Sequence, residues 1–275
     1  MTDSAHDQID PFMALQARNH PLRAPLSQEM HVRTMPRLDA PARLLQFVLL
    51  VDEGEARDIG VALTALLATH GVAANATDRF LTCRLGPLGF SSERHTEFMT
   101  YSFMADGDGD PFDLAPFAAT AQWIADLPGQ IIRSTQIALV RTAPTDAMIA
   151  DHFATDDLII SDVAQGRARI WSDFRLHANG FGRLLIQDNG LVGAEPSQLV
   201  QRLQELGNYR KMALLGLPEA QQATPVLTAL EQRLTAITAR VAEKDADADS
   251  VLEQLSALSA ELAQIVAHTR YRMSA

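Results

Sequence analysis

The chain has a single cysteine, Cys83, which rules out an internal disulfide and a cysteine-rich zinc site; a reducing compartment suits that usage best. It has no surplus of positive charge. Asp and Glu number 34 against 23 Lys and Arg, a formal net charge of −11. A general binder of phosphate backbones needs clustered Lys and Arg, so no nucleic-acid partner is expected. The N-terminus, "MTDSAHDQIDPFMALQ", lacks the basic start and apolar run of a secretory signal. No stretch approaches the roughly 18 uninterrupted apolar residues of a membrane span.

The short catalytic and nucleotide motifs are missing too. There is no P-loop, no GxSxG elbow, no HExxH and no GxGxxG opening a helix after a strand. "NGFGR", 179–183, carries two glycines but sits inside a hairpin, where it cannot cradle phosphate at a helix start. "DGDGDP", 106–111, has Pro111 where an EF-hand loop needs glycine, and reads as a turn cluster. Cys83 lies in an apolar strand with nothing beside it to lower its pKa, which suggests packing rather than nucleophilic chemistry.

What is present is ordinary globular material. The 275 residues are 47% hydrophobic and 21% charged, enough for one sizeable core with a helical extension. Residues 1–19 are polar and aperiodic and read as a tail, followed by a short helix between prolines in 20–38. "RLLQFVLLVD", 43–52, is apolar on both faces, as a central strand covered on both sides would be. A helix follows over 55–69, with Ile59, Leu63, Leu66 and Leu67 on one stripe. "RFLTCRL", "RHTEFMTYSF", "QIIRSTQIALVR", "DLIISDVA", "ARIWSDFRLH" and "GRLLIQD" read as further strands, the last two joined by Asn179-Gly180.

From 196 onward the pattern is helical. Leu227, Leu230, Leu234, Ile237 and Val241 repeat at three-four spacing, as do Leu252, Leu255, Leu258, Leu262 and Ile265. The acidic run "DADADS", 245–250, separates them, so an antiparallel helical hairpin is predicted. "IVAHTRYRMSA" carries the pattern to the end without a cap, which suggests that the helical stalk continues beyond this portion. The expected fold is therefore α+β: a mixed sheet of about six or seven strands with flanking helices over 20–195, then a C-terminal helical hairpin over 196–275.

Two constellations carry potential chemistry. With "SSERHTEFMTYSF" as one strand, Glu93, His95 and Glu97 share a face and could position a proton or a divalent metal. On "RARIWSDFRLH", Arg169, Trp171, Asp173, Arg175 and His177 share a face and could bind an anion. If the two strands are neighbours, the acids of one neutralise the arginines of the other, a purely structural role. A third group, His20, Arg23, Glu29, His31 and Arg33, would anchor the N-terminal segment.

The same residues carry a family likeness. "HPLRxxLxxExHxR" at 20–33, "ERHTEF" at 93–98 with Tyr101 and Phe103, "DFRLHxxGFxR" at 173–183 and "YRKMALLGLPEA" at 209–220 together resemble an uncharacterised bacterial family of membrane-anchored proteins with a domain of unknown function. Asn179 stands where that pattern has an acid, and "SSER" where an aromatic residue precedes the Glu. The resemblance implies further helices and an apolar anchor after residue 275, with this portion on the cytoplasmic face of a bacterial inner membrane. The layout is similar to that of CorA-type magnesium channels, although their Gly-Met-Asn signature is absent.

The sequence thus favours a non-enzymatic module with a scaffolding, sensing or regulatory role, needing no cofactor and partnered through its stalk by a second copy or another helix. The alternative is a metal-dependent or divalent-cation-linked protein. Its catalytic candidates are Glu93, His95, Glu97, Asp173 and His177, its anion ligands Arg169, Arg175 and Arg183, and its metal ligands His95, Glu97 and His177.

Overall fold

The structure, a computed structural model, describes residues 15, 18–25, 27, 35–75, 78–242 and 247–273. They fall into two compact units, 1–201 and 202–275. The first is built on one eight-stranded sheet of order β2-β3-β4-β1-β5-β8-β7-β6. Its strands are β1 (Ala42–Leu50), β2 (Phe80–Leu85), β3 (Leu88–Arg94), β4 (Phe98–Asp106), β5 (Gln130–Val140), β6 (Ile159–Val163), β7 (Ala168–Ser172) and β8 (Gly182–Asp188).

β1 lies between β4 and β5 in the sheet, and most of its residues, on both faces, are buried. Helix α1 (Glu53–Thr69) follows directly. Its start is set by a capping box in which Asp52 Oδ1 accepts from Glu55 N–H at 2.8 Å and Glu55 Oε2 accepts from Asp52 N–H at 2.9 Å. Ile59, Leu63 and Leu67, one helical turn apart, go into the core beneath it. There they meet Leu45, Phe47 and Leu49 of β1 and Met99, Tyr101 and Phe103 of β4. Helix α2 (Ala118–Ala125) adds Ile124 and sets Trp123 edge-on against Tyr101, ring centres 5.2 Å apart.

β5 and β8 are the sheet's parallel pair, and their connection runs through helix α3 (Asp146–His152), β6 and β7. A second apolar cluster forms there from Ala138, Trp171 and Leu185, one residue from each of β5, β7 and β8. It is capped by Phe112, Ile149 and Phe153.

Eight strands are present where about six or seven were expected. The extra one is β3, "LGFSSER", whose polar half masks it in the sequence. "SSERHTEFMTYSF" is therefore no single strand. The chain reverses at Thr96-Glu97, His95 N–H donates to Phe98 O at 2.9 Å, and Arg94 pairs with Met99. Likewise "ARIWSDFRLH" leaves the sheet at Ser172, and residues 173–181 form a loop before β8.

The second unit contains α5 (Leu217–Ala242), with Pro218 at its second position, and α6 (Ala248–Met273); α4 (Glu195–Leu214) crosses the division between units. α5 and α6 run antiparallel. Glu219, at the start of α5, lies 3.4 Å from His268 near the end of α6, and Arg233 meets Glu261 at 2.7 Å. Leu230, Ile237 and Leu258 are buried between them, with Val251 and Ile265 partly covered. Residues 245 and 246 of the acidic run lie outside the described residues, and Ala248 already opens α6.

Candidate functional site

The densest polar network lies where β7 ends. Asp173 turns inward with none of its side chain exposed. Its Oδ2 accepts from Ala154 N–H at 3.0 Å, its Oδ1 from Arg175 N–H at 3.1 Å, and His177 Nε2 stands 3.2 Å from Oδ2. Burial acts to raise this carboxyl's pKa. The two backbone donors and His177 outweigh burial and hold the pKa below its ordinary value. His177 Nε2 is buried and close enough for an ion contact, but its N–H is not aimed along a hydrogen bond. The ring edge packs against Phe153.

Arg183 of β8 extends the network. Its Nε donates to Gln136 Oε1 at 3.3 Å, one terminal nitrogen donates to His152 O at 2.9 Å, and the guanidinium lies 5.1 Å from the Phe112 ring centre. Burial lowers its pKa, against the opposing pull of Asp110 and Asp173. Gln136 is itself buried; it donates to Phe112 O and accepts from Asn179 Nδ2. His152 Nε2 sits 3.3 Å from Asp110 Oδ1, which also accepts from Phe112 N–H. Ser134 Oγ donates to Gly180 O and Ser172 Oγ to Arg183 O, so the loop is tied to β5 and β8 along its length.

A carboxylate beside an imidazole can transfer protons in principle. Here both carboxylate oxygens are occupied by backbone donors. Two surface clefts, of about 410 and 490 Å³, lie elsewhere. One is walled by the 107–111 turn with Arg43, Arg141 and Met148, the other by Met35, Arg37 and Ser197. Neither reaches Asp173, His177 or Arg183.

Of the residues singled out by sequence, Asp173, His177 and Arg183 come together. Glu93, His95 and Glu97 do not join them. Glu93 is on β3 and His95 and Glu97 follow at its end, and β3 is separated from β7 by β4, β1, β5 and β8, about 24 Å at the usual strand spacing. The two charged rows are therefore not neighbours, and the acids of one do not neutralise the arginines of the other. Glu93 lies 3.3 Å from His95 Nε2, His95 stacks on Phe98 at 4.0 Å, and Glu97 sits in the turn with its backbone O accepting from Val51 N–H. The hairpin turn breaks the alternation that put all three on one face.

Arg169 is forked onto Asp162 of β6, at 2.6 and 3.0 Å, and Arg175 pairs with Asp157. That hydrogen-bonded fork holds the Asp162 carboxyl below its ordinary pKa. Both arginines are thus committed to acids of the same unit. Among the described residues, no three His, Cys, Asp or Glu side chains gather as metal binding would require, and His177 is far from His95 and Glu97. Glu29, His31 and Arg33 lie outside the described residues, whereas His20 Nδ1 accepts from Leu22 N–H and Arg23 pairs with Asn19. Cys83 is half-buried, and burial pushes its thiol pKa up, away from a reactive thiolate.

Sequence reasoning missed Gln136, His152 and Asp110. One signal was available: a glutamine within the apolar half of a strand, "STQIALV", needs a buried polar partner.

Fold and network together define a mixed α/β sheet protein with a helical hairpin and a loop anchored by a buried carboxylate. The chain belongs to the family described as "Protein of unknown function (DUF3422)", whose model matches residues 18–275. No curated protein and no solved structure matches it. No helix among the described residues is long and apolar enough to cross a membrane.

Proposed function

We propose that the protein is a non-catalytic assembly module whose helical unit associates with a second copy of itself. One observation carries this reading. In the three-four repeats of α5 and α6, some positions are buried and others left open, strictly in alternation along α5. Leu230, Ile237 and Leu258 are buried in the hairpin seam, while Leu227, Leu234, Leu255 and Leu262 remain more than a third exposed. This hairpin covers one part of each apolar stripe and leaves the other open, and a matching hairpin would supply the missing face, as in a four-helix bundle.

The family likeness supports a wider role, as the scaffolding, sensing or regulatory portion of a bacterial protein held at the cytoplasmic face of the inner membrane by a segment outside this chain. Burial of the Asp173 network, with its bonds spent inside the fold, supports a structural role for that cluster over catalysis.

Multi-angle light scattering across a hundredfold concentration range tests the assembly reading. A dimer or higher species is expected, reverting to monomer in Leu234→Asp with the far-ultraviolet helical signal retained. A monomer at every concentration would remove the proposal.

A further inference from the structure

Phe174 is an anomaly. Its φ is +52°, the left-handed region that bulky L residues avoid, yet its side chain meets nothing that explains the choice, being 69% exposed. Glycine or asparagine would make the same turn with less strain. The backbone is nonetheless held there firmly. Ser172 Oγ accepts from Phe174 N–H at 3.2 Å, and the buried Asp173 accepts from Arg175 N–H on its other side. Two residues on, Leu176 is 74% exposed. The buried network therefore holds a rigid loop that presents two large apolar side chains to water. Strain maintained by surrounding structure is characteristic of functional positions.

The loop adjoins an open sheet edge. β6 is the last strand, and its residues Ile159 and Ile160 pair with Ser172 and Trp171, so Phe174 lies just past the partner of Ile159. The two isoleucines point to opposite faces, and both are more than half exposed. An open edge with apolar side chains on both faces is suited to accept a further strand. The named charges leave one negative charge in excess: Asp157 and Asp162 are paired with Arg175 and Arg169, and the exposed Asp156 has no ion pair among the described residues. A second copy fits poorly, since antiparallel pairing about Ser161 sets each Asp162 against the partner strand's Ile160.

We infer that β6 and the Phe174–Leu176 loop form a docking edge for an extended segment of another protein, one that alternates apolar and basic residues and adds as a ninth strand. Phe174 would be its aromatic anchor.

The test uses the full chain and a synthetic nine-residue peptide alternating valine and lysine, with a valine–glutamate peptide as control. Amide hydrogen exchange should slow at least about fivefold over 159–163 with the basic peptide only. Phe174→Asn, which suits the left-handed backbone, should weaken peptide binding about tenfold while leaving the melting temperature unchanged or raised. Four results would overturn the inference. They are no protection of β6, equal protection by both peptides, a fall of several degrees in the melting temperature of Phe174→Asn, and a concentration-dependent dimer abolished by Ile160→Lys.

Discussion

Replacing Asp173 with alanine removes the acceptor of two backbone N–H groups, Ala154 and Arg175, and the ion partner of His177. A fully buried donor left without a partner costs about 1–3 kcal/mol. Ala154 is half-buried and Arg175 exposed, so water reaches part of the vacated site and the predicted loss in the first unit is about 1–3 kcal/mol in all. Asp173→Asn keeps one acceptor oxygen and should lose about half as much. The assay is urea unfolding followed by tryptophan emission, because Trp171 is buried two residues away and Trp123 lies in the same unit. The pH dependence supplies an independent check. Asp173's carboxyl has a lowered pKa in the folded chain. Its stabilisation is therefore complete above the unfolded value of about 4 and disappears as pH falls through the lower folded value. The gap between parent and Asp173→Asn should accordingly be largest near neutrality and narrow below about pH 4. An Asp173→Ala protein as stable as the parent at pH 7 would refute the argument and return the residue to the list of candidate catalytic groups.

Other positions give sharper, smaller tests. A Cβ at Gly129, where φ is +96°, would lie 2.6 Å from Leu50 O, a backbone atom of the central strand, so Gly129→Ala should destabilise by more than about 1 kcal/mol in the same urea assay. Asp52→Ala removes one half of the capping box of α1 and should cost about 1 kcal/mol, read as a small drop in the denaturation midpoint. Cys83 should react with a thiol reagent at pH 7 more slowly than free cysteine, because burial raises its pKa; faster reaction would contradict its placement in the core.

The sequence by itself determined which segments become helices and most of the strands. Periodicity is a local property: "RLLQFVLL" is apolar at every step, and the leucines of α5 and α6 recur every three or four residues wherever those helices are placed. Local pattern failed where a turn interrupts a run without glycine or proline. Thr96-Glu97 reverses the chain between β3 and β4, and no residue type there announces it. Strand order lay beyond local pattern altogether, being set by which faces bury together across long separations. It decided that Glu93 and Arg169 are far apart and that Gln136 of β5 lies beside Arg183 of β8, whereas Asp173 and His177 meet within one loop. The same applies to exposure. Leu230 and Leu234 are alike in sequence, and only packing against α6 makes one a core residue and leaves the other open to a partner.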